Sequence, residues 1–124
     1  MTAQLLAQAA YAGRAAPTKT ERSIEYDAFA RVTRLLKGAQ LPNTPFGTLA
    51  QALHDNRALW IALASDVADP ENPLPPPLRA QIFYLAEFTL VQSSKVLAGQ
   101  AGVQALVDVN MAVMRGLRPE EDRT

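Results

Sequence analysis

At 124 residues, with one histidine and no cysteine, the chain is sized for one hydrophobic core and has no material for disulfides, thiol chemistry or the usual zinc-ligand sets. Twelve basic and twelve acidic side chains cancel to a formal charge of zero, so there is no global field to gather phosphate backbone, which argues against nucleic acid as a partner. The opening "MTAQLLAQAAYAG" lacks a basic start, and the most hydrophobic run, "ALWIALA" at 58–64, falls far short of the ~20 residues of a membrane span.

Apolar residues recur at helical spacing along the chain without a convincing strand alternation, which predicts an all-α bundle of about five helices in a single domain, 1–124. A short first helix is expected over Ala3–Gly13. The second begins near Thr18, where "TKTE" has capping-box spacing, and its stripe is Ile24, Ala28, Val32, Leu35, Leu36 and Ala39. Gly38 and Pro42 help to stop it. Thr44 then offers an N-cap oxygen, and Pro45 suits the first helical position.

The third helix, about Pro45–Val67, has the cleanest face: Phe46, Leu49, Ala50, Leu53, Trp60, Leu63, Ala64 and Val67. The fourth, about Pro76–Leu97, is apolar on more than one side, with Leu78, Ile82, Leu85, Ala86 and Val96 on one and Phe83, Leu90 and Leu97 displaced from it. Such a helix is expected at the centre of a bundle. Gly99 and Gly102 precede a fifth helix, about Val103–Arg115, with Val103, Leu106, Val107, Met114 and Leu117 in register and Gly116 placed for its C-cap. The polar tail 118–124 should fray.

Between the third and fourth helices, five prolines fall among the eight residues from Pro70 to Pro77. Each disfavours helical geometry in the residue before it, and Pro76 and Pro77 remove two N–H groups that a helix start leaves unpaired. Asn72, Pro73, Pro75, Pro76, Pro77 and Arg79 therefore read as a structural corner, stiff already in the unfolded chain.

Catalytic patterns are missing from this reading. His54 and Asp55 are neighbours on a helix and point about 100° apart, so they cannot act as base and orienter. The carboxylates of "SDVADPEN" (Asp66, Asp69, Glu71) lack calcium-loop spacing, and no glycine-rich phosphate loop appears. The expectation is a non-enzymatic, soluble, cytoplasmic protein without cofactor. Arg22, Arg31, Arg34 and Lys37 make the second helix somewhat basic, but Glu21, Glu25 and Asp27 offset them.

Two asparagines break the pattern. Asn56 sits inside the third helix's stripe and Asn110 inside the fifth's. An unpaired buried amide costs about 1–3 kcal/mol, so each needs a partner. The proline corner, with its free carbonyls, is the favoured one; the alternative is that both line a groove with Trp60, Phe83, Phe88, Leu90 and Met111. Arg57 and Arg79 invite the same question, since pairing with Asp66, Asp69 or Glu87 would make them internal fixtures.

The stretch "LAQALHDNRALWIALASDVADPENPLPPPLRAQIFYLAEF" (49–88), followed by "LVDVNMAVMRGLR" (106–118) and preceded by "YAGRAAPTKTERSIEYDAFARVTRLL" (11–36), resembles the flagellar biosynthesis regulator FlaF family of alphaproteobacteria. Its most specific parts are "NRALW", "NPLPPPLRAQI" and "VNMAVMRGL". The resemblance implies a small helical protein needed for flagellin production and export. It would act on flagellin as a secretion chaperone or assembly factor, in partnership with the regulator FlbT. A groove for a flagellin helical segment is the physical form this would take.

Overall fold

A computed structural model describes residues 21–117. Among them four helices follow one another without a strand: α1 (Glu21–Gly38), α2 (Phe46–Ala68), α3 (Pro76–Leu97) and α4 (Gln104–Leu117). The helix expected over Ala3–Gly13 and the tail 118–124 lie outside the described residues.

The local signals explain most boundaries. α1 ends at Gly38, and Asn43 takes a left-handed conformation (φ 69°) in the turn that follows. Thr44 does not cap α2. Its hydroxyl donates instead to the Leu41 carbonyl at 2.6 Å, and the N-cap is Pro45, extended at φ −60° and ψ 144°, with no side-chain cap. α3 starts at Pro76, with Pro75 extended before it and the prolines of its first turn carrying no N–H to leave unpaired. Gly99, at φ 75°, turns the chain after α3, a conformation glycine adopts without steric cost. Gly116 lies within α4, which runs on to Leu117, so it is not the cap.

The buried apolar residues form two clusters. One holds Phe29, Val32, Leu59, Trp60, Leu63, Ala86 and Met114; the other holds Leu36, Ala52, Leu53, Val96, Val103, Leu106 and Val107. Each helix contributes to both, and the order alternates. α1 and α3 run from the first cluster to the second, whereas α2 and α4 run from the second to the first. The chain therefore reverses direction at every connection, the up-and-down arrangement that short loops favour. In backbone proximity α1 neighbours α2 and α4, and α3 neighbours the same two. Gln40, two residues past α1, donates to Gln104 at the start of α4 (2.8 Å), fixing one end of that pair.

Three expectations about burial need correction. Leu35, Phe46 and Leu78 are exposed, while Phe29, assigned to no stripe, is fully buried edge-on against Trp60 with ring centroids 5.5 Å apart. α2 buries a wider arc than one face, because Ala52, Leu59 and Ala62 join Leu53, Trp60, Leu63 and Val67. It is α2, and not the helix from Pro76, that is the most enclosed. α3 buries only Ala86, Thr89, Ser93 and Val96, all small or β-branched. Small side chains let two backbones approach closely, and the bulky residues of α3 are left to its flanks and outer side.

Candidate functional site

A belt of polar side chains separates the two apolar clusters. Thr33 of α1, Asn56 of α2, Thr89 and Ser93 of α3, and Asn110 of α4 are all buried. Trp60 Nε1–H donates to Asn110 Oδ1 at 2.8 Å; Asn110 Nδ2 donates to Asn56 Oδ1 at 2.8 Å and to Thr33 Oγ1 at 3.2 Å. An indole N–H can only donate, so the oxygen of Asn110 must face it. Its nitrogen then faces Asn56, whose own oxygen must turn inward to accept. Thr33 has a single proton, and it goes to the Phe29 carbonyl at 2.6 Å, leaving a lone pair for Asn110.

The expectation that the asparagines tie down the proline corner is thus overturned. Asn110 serves three helices at once, binding residues 50, 54 and 77 positions away in sequence. The chain between α2 and α3 has its own fixtures. Asn72 Nδ2 donates to the Asp66 carbonyl (3.2 Å) and carboxylate (3.1 Å), and Asn72 Oδ1 accepts from Leu74 N–H at 2.9 Å. Arg79 Nη1 reaches the Asp69 carbonyl at 3.3 Å, a backbone oxygen and not a carboxylate. Pro73, Pro75, Pro76 and Pro77 are exposed around these bonds.

Asn56, Trp60 and Asn110 have no exposed surface. In this state they hold helices together and offer nothing to a partner. The other groove candidates divide: Phe83 is exposed, and Phe88, Leu90 and Met111 are half-buried, with Met111 packed against the core clusters.

A surface depression lies between the outer sides of α2 and α3, and none of the groove candidates named from the sequence lines it. The depression, of about 430 Å³, is lined by Ala50, Leu53, His54, Arg57, Ala58 and Ile61 of α2 and Leu97 of α3. Seven-residue steps turn a helix by only about 20° from its starting direction. The flank of α3 that carries Leu97 therefore also carries Leu90 and Phe83, a stripe ~21 Å long. Ile61 is 50 % exposed, Phe83 41 %, and Val91 and Tyr84, next around α3, 58 % and 67 %. Ile61, Val91 and Tyr84 were not singled out from the sequence; only the side on which α3 docks makes them surface. A smaller depression of about 300 Å³, lined by Leu35, Gly47, Thr48, Gln51 and Ala52, lies beside α1.

Electrostatically the groove is sparse. Arg57 forms none of the pairs expected for it, and no carboxylate lines the depression. On the α1 face, Arg31 stands 4.0 Å from Asp55, which partly offsets the basic side of that helix. Among the described residues no three of His, Cys, Asp and Glu gather as a metal-binding group, and no helix is long and apolar enough to cross a membrane.

No curated protein and no solved structure matches the chain. The model of one family, flagellar protein FlaF, matches residues 7–117. That match spans well over half of the 124 residues, and the chain belongs to the FlaF family, whose role is in flagellum biogenesis.

Proposed function

We propose that this protein is a non-enzymatic flagellin-binding factor, a secretion chaperone or assembly regulator, that holds an unassembled flagellin helix on the α2–α3 groove. The observation that carries the reading is the outward apolar flank of α3. Leu97 lines the depression with Ile61, Phe83 and the half-buried Leu90 repeat at heptad spacing on the same flank of α3, and Tyr84 and Val91 are exposed next to them in sequence. Contiguous apolar surface of this kind on a small protein marks an interaction site more often than an accident of packing. Heptad spacing is what an amphipathic helix lying along a groove requires. Covering such a face on flagellin would block premature polymerisation, and no bond needs to be made or broken for that purpose.

The test is co-purification with unassembled flagellin at physiological and at high salt. Apolar burial survives added salt, whereas phosphate-backbone contacts do not. Retention at both salts is the expected result. Binding to flagellin messenger that collapses with salt and with Arg31→Ala plus Arg34→Ala would favour an RNA-directed regulator. Flagellin capture only when FlbT is added would favour a scaffold.

A further inference from the structure

Arg57 lies half-buried in the wall of the α2–α3 groove and has no hydrogen bond or ion pair among the described residues. The acids that could have neutralised it do not pair with it. Asp55 faces Arg31, and Asp66 is held by Asn72. The one carboxylate of α3, Glu87, makes no hydrogen bond or ion pair with Arg57. A guanidinium in this position contributes its aliphatic stem to the apolar wall while its fork of donors stays available to a carboxylate.

The groove also has an ambiguity that a charge would resolve. Phe83, Leu90 and Leu97 repeat every seven residues, so a heptad-patterned helix could slide by ~10 Å and find a similar apolar seat. A single fixed charge among repeating apolar contacts selects one register. We propose that the occupant of this groove is an amphipathic helix bearing an Asp or Glu at the edge of its apolar stripe, and that Arg57 pairs with that carboxylate and sets the helix's register. This deepens the binding reading above and rests on it for the location of the site.

The experiment uses the full chain and two 18-residue synthetic helical peptides with the same leucine heptads. One carries Glu at the positions flanking the stripe, the other Gln. Binding is read by fluorescence anisotropy at low and high salt, with unassembled flagellin measured in parallel. The acidic peptide should bind about tenfold more tightly at low salt. Arg57→Gln should erase that preference, Arg57→Lys should keep part of it, and Ile61→Asp should abolish binding of both peptides. Equal affinity for the two peptides, or a preference that persists in Arg57→Gln, overturns the pairing and leaves the groove standing. Failure of both peptides to bind overturns pairing and groove together. If the acidic peptide binds as described and flagellin does not, the inference holds and the flagellin reading alone falls.

Discussion

In its interior the bundle keeps five polar side chains, Thr33, Asn56, Thr89, Ser93 and Asn110, out of water. A helix away, on the outer flank of α3, it leaves Phe83, Tyr84, Val91 and Leu97 in contact with water. The two regions reverse the usual placement, and each inversion has its own logic. The belt is directional: one indole and two amides fix each other's orientation, so only one packing of α1, α2 and α4 satisfies them. The flank is non-directional apolar area, of which the exposed part adds little to the free protein's stability. On the proposal above, the first region serves stability and the second serves binding.

Breaking the belt should have the largest effect. Asn110→Ala strands the Trp60 N–H, the Asn56 oxygen and one lone pair of Thr33. We expect a loss of about 3 kcal/mol or more, read as a lower urea midpoint and a melting temperature down by ~15 °C. Trp60→Phe keeps most of the ring and removes only the donor. It should cost about 1–2 kcal/mol and, because the Trp60 N–H is already stranded in Asn110→Ala, should not add fully to it. Replacing Pro75, Pro76 and Pro77 together by alanine should destabilise by about 1 kcal/mol, by loosening the unfolded chain more than by losing contacts. Unchanged stability with loss of one partner would instead make that segment a contact surface.

The comparison is sharpened by a substitution of opposite sign. Thr89 is fully buried and its hydroxyl has no partner, as is true of the Asn56 amide nitrogen. Thr89→Val retains the shape and removes an unpaired group, so it should stabilise by up to ~1 kcal/mol in the same unfolding assay. A loss of stability would mean that the hydroxyl is bonded after all.

The sequence announced the two amides but not their wiring. Asn56 and Asn110 were conspicuous because each interrupts an apolar stripe, and an amide in a core demands a partner. Which partner could not be read, since Trp60, Asn56 and Asn110 meet across α2 and α4 and helical periodicity carries no information between helices. The favoured guess, the nearby proline loop, was wrong for that reason. The span of α3 was legible to the residue, from Pro76 to Leu97, because prolines dictate its start and glycine its end. Its position was not. A helix apolar on more than one side has no single preferred face, and here the face that packs is chosen by its smallest residues, Ala86, Thr89 and Ser93, not by its greasiest. Without that choice in hand, Phe83 could be proposed for a groove only alongside Trp60, which is core, while Ile61 was passed over.

The smallest effect on stability belongs to the flank, and there the division of labour is most exposed to test. Ile61→Asp combined with Phe83→Asp changes two partly exposed side chains and should move the unfolding midpoint by less than about 1 kcal/mol. Isothermal titration of unassembled flagellin into this double variant, beside the unaltered protein and Thr89→Val, is the decisive measurement. Full binding by the other two and none by the double variant, with its fold intact, is the expected result. Flagellin affinity that is unaltered by aspartates at positions 61 and 83 would contradict the assignment of binding to this side of α2 and α3.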